Sequence, residues 1–210
     1  LFCVDRCAKI LYNKVRAYLK NREELPMEAI HVWTKQHISV WQTLQQQGIY
    51  HASAANIFRN EDAALSRDAY TWLAGHIPNQ KSRPQGAEFP IWLAYSRAGT
   101  MLPTPDTVLL ELVIDPAMIT RINIAKWGTI LNCGYIPTDP ADKQRHTALM
   151  RQWGISDEQA CMTCFYPQLR SRIQDSWARL FDDSIQLGSP ECYGTIWEVR
   201  KEWVWEAVIL

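Results

Sequence analysis

Two long runs of branched and aromatic side chains dominate the middle of the chain, between Phe89 and Pro137. The runs read FPIWLAYS and TVLLELVIDP, and each is closed by proline or turn residues. Near-continuous apolar segments of this kind are typical of strands buried on both faces of a sheet. We therefore predict that they form a central pair of strands, and that KWGTILNCGYIP adds a short helix after them.

Strand and helix patterns continue on both sides of this pair. The predicted elements are a strand in AIHVWT, helices over residues 39–46, 60–76, 126–132, 139–153 and 169–181, a short helix from Ser156, and one bent strand or two over residues 195–210. Asp139 before Pro140 can cap a helix, and Ser156 with Gln159 has the spacing of a capping box. The pattern indicates an α+β fold, with a small central sheet flanked by several helices.

The first 26 residues differ from the rest, with six lysines and arginines against three acids. Apolar residues at helical spacing, Ile10, Leu11, Val15, Tyr18 and Leu19, are compatible with a basic amphipathic helix that packs on the domain. Alternatively, residues 1–26 are upstream sequence translated from another start codon, and the working domain begins near Met27. We divide the chain into a basic extension, residues 1–26, and one domain, residues 27–210.

Composition excludes several classes of protein. The formal net charge is 0, so no global field favours nucleic acid or an anionic membrane. No apolar run reaches the roughly 18 residues of a bilayer span, and we expect a soluble, cytoplasmic protein. The sequence contains no phosphate-binding glycine loop, no nucleophile elbow and no HExxH motif.

Six cysteines raise the question of metal binding. Cys161 and Cys164 have the spacing of a zinc knuckle, but a second CxxC or a histidine pair is missing, and only Cys133, Cys192 or His146 could complete a site. We expect reduced cysteines and no metal.

Ten tryptophans are many for 210 residues. A surface that stacks nucleic-acid bases is conceivable. However, five of them fall on the apolar faces of predicted helices and should lie in the core: Trp41, Trp72, Trp127, Trp153 and Trp177. Alternation along the last strand would put Trp203 and Trp205 on one face.

The order of landmarks HVWTKQ, VWQTLQQQGIYHA, AYTWL, PIWLAYS, VLLELVI, KWGTILNCGYIP and GTIWEVRKEWV resembles an uncharacterised, mostly bacterial family known only as a domain of unknown function. The likeness runs from Ala29 to the C-terminus and implies no activity. Members usually begin where Met27 stands here, which favours the alternative start.

A weaker resemblance suggests chemistry. A first strand with a histidine and a following threonine, a helix that ends in a Gly-Ile turn and a late strand with an acid are similar to ADP-ribosyltransferase-like toxins and RNA 2′-phosphotransferases. The resemblance implies NAD as cofactor and a macromolecular acceptor. His31 would anchor the ribose near Thr34, a tyrosine would stack on nicotinamide, and an acid would stabilise the oxocarbenium-like state. The competing tyrosines are Tyr50, Tyr70 and Tyr95, and the competing acids are Glu191 and Glu198.

Each of these residues also has an ordinary structural explanation. A histidine at a strand start is commonly a surface or hydrogen-bonded residue, and a glutamate in a terminal strand is commonly solvated. Glu111, inside TVLLELVI, points either to an exposed face or into a cleft. The sequence also departs from the superfamily, because Tyr193, Gly194 and Thr195 occupy the strand opening where the acid is expected. Two hypotheses remain: an NAD-using transferase or hydrolase, and a non-catalytic module that binds a nucleotide, nucleic acid or protein.

Overall fold

The computed structural model describes residues 29–58, 64–100, 102 and 104–210. The predicted N-terminal helix, the start near Met27 and the first residues of the helix expected from Asn60 lie outside these ranges.

Eight short strands and seven α-helices make up the described part of the chain. The strands are β1 (Ile30–His37), β2 (Ile49–His51), β3 (Ile91–Leu93), β4 (Thr107–Ile114), β5 (Thr120–Asn123), β6 (Cys192–Ile196), β7 (Glu198–Arg200) and β8 (Val204–Ile209). The helices are α1 (Ile38–Gln47), α2 (Ala54–Ile57), α3 (Ala64–His76), α4 (Ile124–Leu131), α5 (Pro140–Trp153), α6 (Asp157–Met162) and α7 (Pro167–Ser176), and α7 continues into a 3-10 helix, Trp177–Phe181. The fold is α+β.

The strands form three small antiparallel sheets. The first has the order β1-β4-β8, the second is the ribbon β2-β7, and the third has the order β3-β6-β5. A bridge between Trp33 and Ala94 connects β1 to the residue that follows β3. At Gly194 in β6, an added Cβ would lie 2.6 Å from Ile119 Cγ2, so only glycine allows this close approach of the backbone.

Two large apolar clusters form most of the core. The first joins the β1-β4-β8 sheet to α1 through residues such as Val32, Leu44 and Leu110, which are fully buried. The second holds α3 to α7 together around Trp127, Ile173 and Trp177. Burial of these side chains is the main favourable contribution to folding.

Local signals fix the helix ends as predicted. Gly48 and Gly154 adopt left-handed conformations after α1 and α5, at φ of 78° and 66°. The Asp139 side chain accepts a hydrogen bond from the Asp142 amide, and Ser156 with Gln159 forms a complete capping box at α6.

The prediction that the two apolar runs pair as central strands is wrong. β3 pairs with β6, whereas β4 pairs with β1 and β8, so the two apolar runs lie in different sheets. Most of the apolar side chains in both runs are buried, as their composition indicated, although Tyr95 at the end of the first is exposed. The single central sheet is likewise replaced by three small ones, because residues 192–209 break into three strands that each join a different sheet.

Two tryptophan predictions also fail. The sequence predicts Trp153 in the core, but it is 53% exposed at the end of α5, where its ring meets Tyr166 edge-on. Trp203 lies in a 3-10 turn, Lys201–Trp203, and not in β8, so strand alternation does not relate it to Trp205.

Candidate functional site

A cavity of about 480 Å³ lies where the two large core clusters meet. Its wall is mostly apolar and contains six aromatic side chains: Trp33, Tyr50, Tyr70, Trp92, Trp127 and Tyr193. The size and the apolar wall with few polar groups are typical of a small-molecule site. We refer to this space as the aromatic cavity.

Three of the rings hold one another in place on the helical side of the cavity. Tyr70 on α3 meets Trp127 on α4 edge-on at a centroid distance of 5.3 Å, and Trp92 on β3 lies 5.3 Å from Trp127. Aromatic rings packed in this way form a rigid surface with a large area for contact with a ligand. Burial raises the pKa of Tyr70, an effect opposed by the adjacent Trp92 indole, so the Tyr70 hydroxyl is protonated at neutral pH.

The opposite wall is the outer edge of β1. The Trp33 amide donates to the Ala94 carbonyl at 2.9 Å, and the Ala94 amide donates back at 2.7 Å. In an antiparallel ladder every second residue directs its peptide groups to the same side. The N–H and C=O of Lys35 therefore also point away from β4, on the cavity side of the strand. No hydrogen bond from another described residue reaches either group.

The remaining polar side chains of the wall are mostly engaged. Thr34 is buried, and its hydroxyl accepts a hydrogen bond of 2.7 Å from Gln36. Asn56 donates to the Tyr50 hydroxyl at 3.2 Å. The Lys35 ammonium donates to the Leu102 carbonyl at 2.5 Å. Among the described lining residues, none is an acid or a histidine.

The structure brings together three of the residues that the sequence nominated. Thr34, Tyr50 and Tyr70 all line the aromatic cavity. His31 does not line it: its Nδ1 lies 2.5 Å from Glu111 Oε1, and its ring meets the edge of Trp205 at 6.0 Å. Glu111 therefore forms an ion pair at the sheet surface when His31 is protonated.

Glu198 meets a different histidine. Its carboxylate lies 3.1 Å from His51 Nε2 and accepts a hydrogen bond of 2.6 Å from Arg200 Nε. Burial raises the pKa of Glu198, but these two partners outweigh burial and the pKa is lowered. His51 and Glu198 are directly opposite each other in the β2-β7 ribbon, on the face opposite to Tyr50. The carboxylate is therefore ionised and turned away from the aromatic cavity.

The last two nominated residues lie elsewhere. Tyr95 is 38% exposed and lines a smaller cavity of about 350 Å³ with Arg121 and Cys192. Partial burial raises the pKa of Tyr95, and the charge of Arg121 opposes this effect. Glu191 is exposed just before β6, where its main-chain carbonyl accepts from the Ile124 amide.

Sequence reasoning missed several residues of the cavity. Trp92 and Trp127 were assigned to strand and core, and the Lys35 peptide group carries no side-chain signal. His51 was counted among the histidines, but its pairing with Glu198 depends on the β2-β7 register, which no local pattern specifies. Alternation along IYHA could have shown that Tyr50 and His51 face opposite sides.

One comparison with known proteins decides the family. The family model described as "Domain of unknown function (DUF3841)" matches residues 31–205, which is most of the chain. The chain belongs to this family. No curated protein and no solved structure gives a significant match to this DUF3841 domain.

Two further features of the DUF3841 domain concern membranes and metals. Within the described ranges, no helix is both long and apolar enough to cross a membrane. Over the same residues, no three histidine, cysteine or acidic side chains are grouped so that they could hold a metal ion. Cys161 and Cys133 are buried neighbours, whereas Cys164 is exposed.

Proposed function

We propose that this domain binds a nucleotide in the aromatic cavity. The base would lie between the aromatic side chains, and its edge would form hydrogen bonds with the main-chain N–H and C=O of Lys35. The observation that carries the proposal is a strand edge, at Lys35, with which no described residue pairs, beside a cluster of aromatic rings. A lactam or carboxamide carries one N–H and one C=O side by side, and a residue on a strand edge likewise directs its own N–H and C=O to the same side. The two can exchange a pair of hydrogen bonds, as neighbouring strands do.

The wall supports a planar ring more than a flexible chain. Aromatic faces stack on any base, and such stacking contributes about 1–3 kcal/mol per base. A volume of about 480 Å³ falls within the ordinary range for small-molecule sites. The indole Nε1 of Trp33, which is buried without a hydrogen-bond partner in the described structure, adds a donor at the same wall.

The test removes one main-chain donor. Lys35→Pro deletes the N–H that faces the cavity, at an edge position where a ladder hydrogen bond is not needed. Lys35→Ala is the matched control, because it removes the side chain and keeps the N–H. Binding is measured by quenching of tryptophan fluorescence and by calorimetry, with inosine, which has a lactam edge, and with purine riboside, which has none.

We expect the wild type and Lys35→Ala to prefer inosine over purine riboside. Lys35→Pro should lose about tenfold in affinity for inosine, the value of one hydrogen bond, and little for purine riboside. Equal affinity of the two nucleosides for the wild type would contradict the recognition of the base edge, even if Lys35→Pro does not fold. Absence of binding by inosine, its monophosphate and NAD would refute the proposal as a whole.

An NAD-using transferase is the second candidate. It is favoured by the presence of Thr34, Tyr50 and Tyr70 in one cavity, since the superfamily resemblance assigned cofactor contacts to these positions. Cleavage of a glycosidic bond develops positive charge on the ribose, which a nearby carboxylate stabilises. Glu198 is the buried, ionised acid closest in the sheet to Tyr50, although it lies on the other face of the ribbon.

Nicotinamide release from NAD separates the two candidates. The transferase predicts release by the wild type and its loss in Glu198→Gln, with Glu191→Gln as a control in which the substituted acid is exposed. His31→Ala tests the ribose contact that the resemblance implies. Binding of NAD without release leaves the non-catalytic nucleotide module.

A further inference from the structure

A second large cavity, of about 540 Å³, opens beside α7 and shares no lining residue with the aromatic cavity. Its lining residues are all polar or aromatic: Tyr135, Gln168, Ser171, Arg172, Asp175, Ser176 and Arg179. Two of them are arginines and one is an acid. The wall thus has a formal charge of +1, although the whole chain has a formal charge of 0.

Both guanidinium groups are directed at the same aromatic ring. The Arg179 Cζ atom lies 5.1 Å from the centroid of the Tyr135 ring, and the Arg172 Cζ atom lies 5.5 Å from it. His146 stacks on Tyr135 at 4.0 Å and an interplanar angle of 9°. A guanidinium held over an aromatic ring keeps its N–H edge available for hydrogen bonds.

The two arginines differ in how many of their donors are used. The Arg179 Nη1 atom donates to the Ile136 carbonyl and to Asp142 Oδ2. Its other donors have no protein partner among the described hydrogen bonds. Arg172 belongs to none of the ion pairs in the described part of the chain, and its guanidinium lies over the Tyr135 ring. Unused guanidinium donors at a shared cavity suit an anion with several oxygen acceptors.

The hydroxyl and amide groups complete this arrangement. Ser171 and Gln168 precede Arg172 on α7 and line the same cavity. The Ser171 hydroxyl donates to Asp175 Oδ2 at 3.3 Å, which is a long hydrogen bond that an anion could replace. Asp175 is the group in this wall that opposes an anion by its charge.

We propose that this cavity is a binding site for a phosphate group, held by Arg172 and Arg179 over the Tyr135 ring and by the Ser171 hydroxyl. Bidentate hydrogen bonds from arginine match the geometry of phosphate oxygens. The phosphate group could be free phosphate or the monoester of a small metabolite, since both present the same oxygens.

The test uses three substitutions on one helix. Arg172→Gln removes a proposed ligand. Arg170→Gln removes the same charge from a neighbouring, partly buried arginine, whose Nη2 lies 3.9 Å from Asp68 Oδ2 and which does not line the cavity. Asp175→Asn removes the opposing charge. Phosphate affinity is measured by calorimetry and by the shift in thermal unfolding midpoint, with inorganic phosphate and ribose 5-phosphate at constant ionic strength.

We expect Arg172→Gln to weaken phosphate binding by about tenfold or more, as loss of a charge-assisted pair of hydrogen bonds should. Asp175→Asn should tighten it, and Arg170→Gln should leave it nearly unchanged. Tighter binding of ribose 5-phosphate than of inorganic phosphate would identify a monoester as the ligand; the reverse order would identify free phosphate. Equal losses in the two arginine variants, or no binding at millimolar phosphate, would overturn the proposal.

Discussion

Asp142 offers the sharpest test of the electrostatics in this fold. Its side chain is 8% exposed and accepts hydrogen bonds from the Tyr135 hydroxyl at 2.9 Å, the Thr138 amide at 3.0 Å and Arg179 at 3.1 Å, with Arg145 at 3.4 Å. Burial alone would raise the pKa of this carboxyl. The hydrogen bonds and the two positive charges outweigh burial and lower the pKa from 3.8 to about 2.

The lowered pKa gives the size and the sign of the effect on stability. At about 1.36 kcal/mol per pKa unit, the ionised carboxylate stabilises the folded state by at most about 2.5 kcal/mol. The Arg145 side chain is 65% exposed, so solvent screening reduces this to roughly 1–2 kcal/mol. The pKa of Asp142 is lower in the folded state than in the unfolded state. The stabilisation is therefore complete above about pH 3.8, the unfolded pKa, and is lost as the pH falls toward about 2, the folded pKa.

Asp142→Asn should therefore be less stable than the wild type at neutral pH by roughly 1–2 kcal/mol, and the gap should close on acidification. Urea unfolding at a series of pH values measures it. Asp175→Asn is the control, because that carboxylate is exposed and accepts one long hydrogen bond. A gap between Asp142→Asn and wild type that stays constant from neutral to acid pH would refute the electrostatic explanation and indicate a loss of packing instead.

Two further predictions concern local geometry. Gly194→Ala places a methyl group 2.6 Å from Ile119 Cγ2 and should lower the free energy of unfolding, measured in urea, by about 1–3 kcal/mol. An unchanged free energy of unfolding would mean that the backbone around Ile119 and β6 can move apart without cost. Ser156→Ala removes the acceptor for the Gln159 main-chain amide at 3.1 Å and should lower the free energy of unfolding by about 1 kcal/mol. Ser82→Ala, at an exposed serine, should change it less.

Helix ends could be predicted from the sequence because their causes are local. Asp139, Ser156, Gly48 and Gly154 each act on a backbone within a few residues, and the structure shows all four in the expected roles. The inner face of residues 169–181 was also predictable, since Ile173 and the residues around it repeat at helical spacing and are buried.

Strand pairing could not be predicted in this way, because it depends on contacts distant in sequence. β3 and β4 are both mostly apolar, and no local pattern in either segment indicates that β3 pairs with β6, about 100 residues away in the chain. The site shares this difficulty. Its nominated residues Thr34 and Tyr50 line one cavity because β1 and the β2-β7 ribbon flank it. His31, three residues before Thr34 on the same strand, pairs with Glu111 instead.

Trp153 shows a different limit. Its position in the helical pattern indicated burial, but α5 is amphipathic only around Asp142, His146 and Met150, which are buried. Trp153 continues the apolar stripe of α5 in sequence, but the helix extends beyond the core at this end, so the side chain is exposed.

The wall of the aromatic cavity has a consequence for the dynamics of the domain. Tyr50 and Leu93 belong to the core beneath the first sheet, whereas Trp127 belongs to the core of the helices. An occupant would touch both and connect them where the protein alone leaves space. Ligand should therefore slow amide hydrogen exchange in α1 and in α4 together, although their buried residues belong to different clusters. A bound ligand would then also stabilise the fold, because it would connect the two apolar clusters.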